Sequence, residues 1–200
     1  METKREEENR SGAARPGNRP TLEGHSLARA EPHVQAETPE VRAEASSRFA
    51  HVVLYQPEIP QNTGNIGRSC VATGASLWIV RPAAFRLDDR SLRRAGLDYW
   101  QHLDLHTVAH WEELRERLPE TPARRYWYFS RFATRPLWEA ELGRGDVLVF
   151  GSETSGLPPS IREAAGPRAV RLPTSEHVRS LNLATTVGVA LYDLMRREAT

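Results

Sequence analysis

The sequence predicts an α/β protein with a mainly parallel sheet and helices on both faces. Two observations predict it. Short apolar runs of strand length, among them HVVLYQ, DVLVF and AVRL, alternate with segments of helical periodicity. Each of those three runs also stops in a polar loop rich in Gly, Asn and Ser that leads into a helix-like segment. The loops run from Pro57 to Arg68, from Gly151 to Pro158 and from Pro173 to Asn182. Ligands of open α/β sheets collect outside the carboxyl ends of strands, so three such loops in one small domain point to a single composite site.

The elements follow in order. Residues 1–48 contain no Phe, Trp or Tyr and mix both signs of charge with Pro, Gly and Ser. Such a segment cannot bury enough apolar surface to offset chain entropy, so it reads as a disordered N-terminal extension. An RNA-contacting arm is the alternative, but acids balance bases there. Residues 49–200 form one domain. His51–Gln56 reads as a strand and Gly64–Thr73 as a helix, with Gly74 as its stop. Leu77–Val80 is a short buried strand. Asp88–Ala95 is helical, with Gly96 after it. Trp100–Leu105 alternates in the manner of a strand. His110–Leu118 is an amphipathic helix with Trp111, Leu114 and Leu118 on one face, closed by Pro119. Arg125–Ser130 and Asp146–Phe150 are strands, Pro159–Ala165 a short helix, Ala169–Leu172 the last strand and Leu181–Arg197 the longest helix.

Composition narrows the chemistry. A net charge of +1 gives no global electrostatic case for nucleic acid, although Lys4 is the only lysine and every other fixed positive charge is arginine. Arginine is the better bidentate partner for phosphate, while the bias also suits a GC-rich genome. Cys70 is the only cysteine, which excludes an intrachain disulfide and a thiolate metal cluster and fits a cytoplasmic protein. Its apolar neighbours Ile66, Val71 and Ala72 make it a small hydrophobe rather than a nucleophile. No apolar run approaches a membrane span, and Glu6 to Glu8 argue against a transit peptide.

Common motifs are missing. Asn62 to Gly67 lacks the glycine spacing of a dinucleotide fingerprint, and the folded region has no lysine for a Walker loop. GSETSG does not space its residues as a nucleophile elbow does. His102, Asp104 and His106 share one face of a predicted strand; without a further ligand cluster they read as solvated edge residues, and no metal is expected.

The loops themselves offer polar chemistry. Asn65 and Arg68 lie one turn apart on the predicted helix, where a phosphate or ribose suits them; alternatively Asn62 and Thr63 cap the helix and Arg68 is solvated. Gly151 permits a close approach to the backbone and Gly156 a turn with positive φ. Glu153 either accepts hydrogen bonds across the site or ties its loop together. Ser180 and Asn182 stand at the entry of the last helix, whose small residues suit a core element or a dimer interface. Glu176, His177 and Arg179 are substrate contacts or exposed loop residues.

Taken together, Asn62, Asn65 and Arg68, then Gly151, Glu153, Gly156 and Leu157, then Leu172, Pro173, Ser180, Leu181, Asn182, Leu183 and Ala184 resemble the three motifs of the SPOUT superfamily, in its SpoU branch of RNA ribose 2′-O-methyltransferases. Gly67 directly before Arg68 departs from the first motif. LYQPEIPQNTGNIGR and RRAGLDYW, with the short length, are similar to the tRNA wobble-nucleotide 2′-O-methyltransferases; the likeness covers about residues 51–197.

The resemblance implies a SPOUT-type fold with a C-terminal trefoil knot, S-adenosylmethionine as cofactor, and methylation of cytidine or modified uridine in the tRNA anticodon loop. It assigns cofactor contacts to Phe129, Gly151, Leu172 and Ser180, and catalysis to Arg68, Asn65, Glu153 and Asn182. It also implies a homodimer with Tyr192 at its interface, and no membrane association. Arg68 is implicated as general base or as the group orienting hydroxyl and phosphate; a guanidinium hardly ever loses its proton, which favours an electrostatic clamp. RNA binding would rest on Arg86, Arg90, Arg93, Arg94 and Arg131. Tyr99 and Trp100 serve core packing or stack on a base. The alternatives are a SpoU-type enzyme acting on ribosomal RNA or another tRNA position, and a non-catalytic RNA-binding module.

Overall fold

A computed structural model of the chain describes residues 48–85 and 98–199. The predicted N-terminal extension, the predicted helix Asp88–Ala95, and Arg86, Arg90, Arg93 and Arg94 lie outside the described residues, Arg48 excepted. In chain order the elements are β1 (His51–Tyr55), α1 (Pro60–Thr73), β2 (Ser76–Val80), a 3-10 turn (Asp98–His102), β3 (Leu105–Val108), α2 (Trp111–Arg117), β4 (Tyr126–Phe129), β5 (Arg135–Pro136), β6 (Val147–Phe150), α3 (Pro159–Ala164), β7 (Ala169–Arg171) and α4 (Leu183–Glu198).

Among the described residues the strands form one sheet of seven in the order β3-β2-β1-β6-β4-β7-β5. Every ladder in it is parallel. Alternate residues of one strand point to opposite faces. Val52 and Leu54 of β1 therefore pack with Ile66 and Cys70 of α1 and with Val187, Leu191 and Leu194 of α4. Their neighbour Val53 packs the other way, with Leu114 of α2 and Ile161 of α3. Both faces are covered, so the central strands are apolar throughout rather than alternating. Burial also pushes the Cys70 thiol well above its ordinary value, as suits a small core hydrophobe.

Three elements differ from the sequence expectation. Helix α1 begins at Pro60 rather than Gly64, with Ile59 at the N-cap and proline in the first turn. Proline presets the helical φ there. The polar QNTGN run that reads as loop is helical because Asn62, Thr63 and Gly64 are buried against the rest of the domain, and tertiary context overrides weak propensity. Trp100 lies in the 3-10 turn, not in a strand, and β3 starts only at Leu105. Gly67 makes this packing possible: a Cβ there would come within 2.9 Å of the Trp100 ring and 3.1 Å of Leu103. The two-residue β5 gives too short a signal to read, and its proline befits a sheet edge. Elsewhere the agreement is close. Gly74 ends α1 at φ 74°, and His110 caps α2 by accepting the Glu113 N–H at 3.2 Å.

The predicted His102–Asp104–His106 face is also corrected, since His102 belongs to the 3-10 turn. Asp104 instead receives His106 Nε2 and Arg48 Nε, each at 3.0 Å. His106 in turn stacks on Trp78, ring centroids 4.0 Å apart. The hydrogen bond from His106, followed by the charges of His106, Arg48 and His51, holds the Asp104 carboxyl below its usual 3.8 against the opposing effect of burial. A depressed carboxyl stabilises the fold above its unfolded value and loses that contribution as pH falls through the folded value. The Asp104→Asn protein is therefore expected to melt about 2–4 °C lower at pH 7 and to show a shallower loss of Tm below about pH 4. Parallel melting curves for the two proteins between pH 3 and pH 7 would discard the assignment.

Candidate functional site

The three polar loops meet at the carboxyl ends of β6, β4 and β7, around a cleft of about 350 Å³. That volume falls in the range of small-molecule sites. Phe129, Phe150, Leu157 and Leu172 give it apolar walls, and Ser152, Thr154, Ser180 and Thr186 add polar groups. The sequence-predicted Phe129, Gly151, Glu153, Leu172, Ser180 and Asn182 all line it. Of the three residues left open in the last loop, Arg179 lines the cleft and Glu176 and His177 do not.

One hydrogen-bonded chain joins the loops. Asn62, buried in α1, donates to Glu153 Oε1 at 3.0 Å and accepts from Asn182 Nδ2 at 3.0 Å. The Glu153 carboxylate also accepts the N–H groups of Glu58 at 2.8 Å and Ile59 at 3.3 Å, immediately before α1. Asn182 Oδ1 accepts the N–H groups of Ala184 at 2.8 Å and Thr185 at 3.3 Å, which caps α4. A second tie runs from the Thr154 hydroxyl to the Glu58 carboxylate, and it lowers that carboxyl from its ordinary value. Glu153 thus accepts hydrogen bonds across the site, from backbone and amide donors of the first loop, rather than tying its own loop together. Asn62 and Thr63 do not cap α1, because both lie inside it.

Gly151 has a definite geometric reason. A Cβ there would overlap the backbone of Gly156 and Leu157, because the loop folds back on its own start. What approaches Gly151 in this structure is its own loop, closed by the Gly156 N–H to Ser152 carbonyl bond at 2.9 Å. Gly156 takes φ 71°, the positive value anticipated from sequence.

Asn65 and Arg68 stand apart from this cleft lining. Both lie on the exposed side of α1, one turn apart. The Arg68 guanidinium lies 4.6 Å from the Tyr99 ring centroid, and the Tyr99 hydroxyl donates to the Gly64 carbonyl at 2.7 Å. Trp100 is buried, which resolves its role as packing. Sequence reasoning quoted Asn62 in a motif but did not place it at the junction. Its burial could not be read from a run that looks like loop. Tyr99 as support for Arg68 had no local signal, since the two are far apart in the chain.

Comparisons with known proteins bear on the family and the fold. Residues 50–192 match the model of the SpoU rRNA Methylase family. A tRNA (cytidine(34)-2′-O)-methyltransferase of Saccharophagus degradans is 42% identical over 149 residues, covering 74% of this chain and 94% of that protein. Its counterpart from Methylovorus glucosotrophus is 42% identical over 147 residues, covering 73% and 94%. A solved structure concerned with the 2-OH methylation of C/U34 on tRNA superposes with a TM-score of 0.69 at 43% identity, covering 76% of this chain and 97% of that one. The SpoU methyltransferase AviRb of Streptomyces viridochromogenes, in complex with AdoMet, gives a TM-score of 0.64 at 25% identity, covering 76% and 58%.

Proposed function

Because the chain belongs to the SpoU methylase family, we propose that it methylates the ribose 2′-hydroxyl of the wobble nucleotide of tRNA, with S-adenosylmethionine as methyl donor. One observation carries the reading to this chain: the three motif loops converge on one cleft and are hydrogen-bonded to each other through Asn62. The substrate, cytidine or modified uridine at position 34, rests on the relatives named for it, which the chain matches over nearly their whole length.

The cleft suits the methyl donor. Apolar walls at Phe129 and Leu172 accept an adenosyl group, and Ser180 with the Gly151 backbone supplies polar contacts at the rim. Bound there, S-adenosylmethionine provides a methyl group already activated on a sulfonium. The residues of the chain then have two tasks: to hold the 2′-oxygen in line and to assist loss of its proton. Arg68 acts as an electrostatic clamp on the ribose and its phosphate, from the exposed side of α1, where its guanidinium lies over the Tyr99 ring. An adjacent phosphate takes the proton more readily than a guanidinium does. Asn65 extends the polar face beside Arg68, while Glu153 and Asn182 hold the loops in register through Asn62.

The working form is a homodimer. Supporting this, Val189 and Tyr192 of α4 are 42% and 55% exposed, on the side of the helix away from the core. The C-terminal segment is threaded as the family's trefoil knot, and the protein acts in the cytoplasm, where its tRNA is found. Among the described residues no helix is long and apolar enough to cross a membrane.

The deciding experiment maps 2′-O-methyl groups in RNA from a strain lacking the protein. The expected result is loss of the mark at position 34 of one or more tRNAs, restored by the wild-type gene. An unchanged wobble position with a missing mark in ribosomal RNA would transfer the assignment to another SpoU substrate. Failure to bind S-adenosylmethionine in calorimetry at high micromolar concentration would remove methyl transfer altogether.

A further inference from the structure

Phe132 has no part in the hydrophobic core, being 61% exposed. It sits in a turn fixed at both ends. Phe129 and Ala133 are buried on either side, and the Ala133 N–H donates to the Ser130 carbonyl at 3.1 Å. The Phe132 N–H donates in addition to Ser130 Oγ at 3.3 Å. A turn held at both ends therefore presents a large apolar ring to solvent.

Two guanidinium groups flank that ring. Arg131, from the same turn, lies 4.6 Å from its centroid, and Arg162, from α3, lies 5.0 Å away. Neither is paired with a carboxylate among the described residues. All three side chains line the mouth of the cleft described above. An exposed ring between unpaired positive charges matches the two parts of a single-stranded nucleic acid, a flat base and an anionic backbone.

We propose that Phe132, with Arg131 and Arg162, forms a stacking platform for one unpaired base of the RNA substrate beside the nucleotide being methylated. This rests on the reading of the cleft as an RNA ribose methyltransferase site. The base takes the place of the exposed Arg131 on the ring, and the freed guanidinium reaches the neighbouring phosphate. Half-buried Arg162 keeps its place and holds the other side of the ring. Stacking reads no base identity, so the platform contributes affinity and register rather than sequence choice.

The test compares wild-type, Phe132→Leu and Phe132→Trp proteins with an anticodon stem-loop RNA, measuring RNA affinity, S-adenosylmethionine affinity and methylation. Phe132→Leu is expected to bind the RNA about tenfold more weakly, the loss of one stacked base, with cofactor affinity unchanged. Phe132→Trp is expected to retain binding, with its new indole emission quenched as RNA is added. RNA affinity unchanged in Phe132→Leu, or an indole signal at that position indifferent to RNA, would overturn the platform while leaving methylation by the wild-type protein intact. A fall in cofactor affinity without a fall in RNA affinity would overturn it too, by assigning Phe132 to the methyl-donor pocket. A wild-type protein that neither binds nor methylates the stem-loop would overturn the wobble reading together with the platform.

Discussion

A Gly151→Ala protein is expected to bind S-adenosylmethionine about a hundredfold more weakly than wild type and to lose most of its methyl transfer. The added methyl group would sit inside the backbone of Gly156 and Leu157. Backbone cannot rotate out of the way as a flexible side chain can, so the Gly151–Leu157 loop must move as a unit. Overpacking of this kind costs about 1–3 kcal/mol or more, and the displaced loop forms part of the cleft wall. Gly156 gives an internal comparison. No atom lies within 4 Å of a Cβ built there, and only its φ of 71° opposes substitution. Gly156→Ala is thus strained without a clash, and its loss of affinity should be the smaller of the two. Calorimetric titration of both proteins decides the matter; equal affinities for Gly151→Ala and wild type would refute the steric account.

The second large effect belongs to Arg68→Lys. Single-turnover methylation is expected to fall by about a hundredfold, the scale seen when one preorganised electrostatic donor is removed from a reaction centre. Cofactor affinity should stay the same, because Arg68 does not line the cleft. Lysine keeps the positive charge but lacks the fork that grips a phosphate and the delocalised guanidinium that lies over Tyr99, 4.6 Å from its centroid. A near-normal rate for the lysine protein would show that charge alone suffices, and the clamp would have to be abandoned.

The parallel sheet was legible because its strands are buried on both faces and so appear as uninterrupted apolar runs such as HVVLY and VLVF. Helix α2 was legible because one apolar face recurs with helical period. The start of α1 was not. Its first turn is polar, its N-cap is the apolar Ile59, and no side chain of its own caps it. The groups that take the N–H donors of Glu58 and Ile59 come from Glu153, 94 and more residues away, a relation no local pattern encodes. For Trp100, alternation suggested a strand, whereas the absence of a Cβ at Gly67 lets the indole pack on α1 from a tight turn.

The site shows the same division. Six of its eight expected residues line one cleft, since motif order in a parallel sheet carries loops to the same edge. The partnership of Glu153 with Asn62 and of Asn62 with Asn182 appears only in three dimensions. So does the separation of Arg68 from the cleft, because it is the packing of Ile66, Gly67 and Cys70 against the domain that turns Arg68 to the exposed side of α1.

Asn182 has a consequence for how the protein responds to its ligands. Its amide nitrogen serves the cleft through Asn62, and its oxygen sets the first turn of α4, a helix of 16 residues whose outer side carries Tyr192. One side chain thus stands between the loops of the cleft and the helix whose exposed side we propose as the subunit contact. Two binding events that share such an element are thermodynamically reciprocal: whatever factor the first applies to the second, the second returns to the first. Coupling through Asn182 would appear as a cofactor affinity that changes with protein concentration, and calorimetric titration at two protein concentrations measures its sign and size.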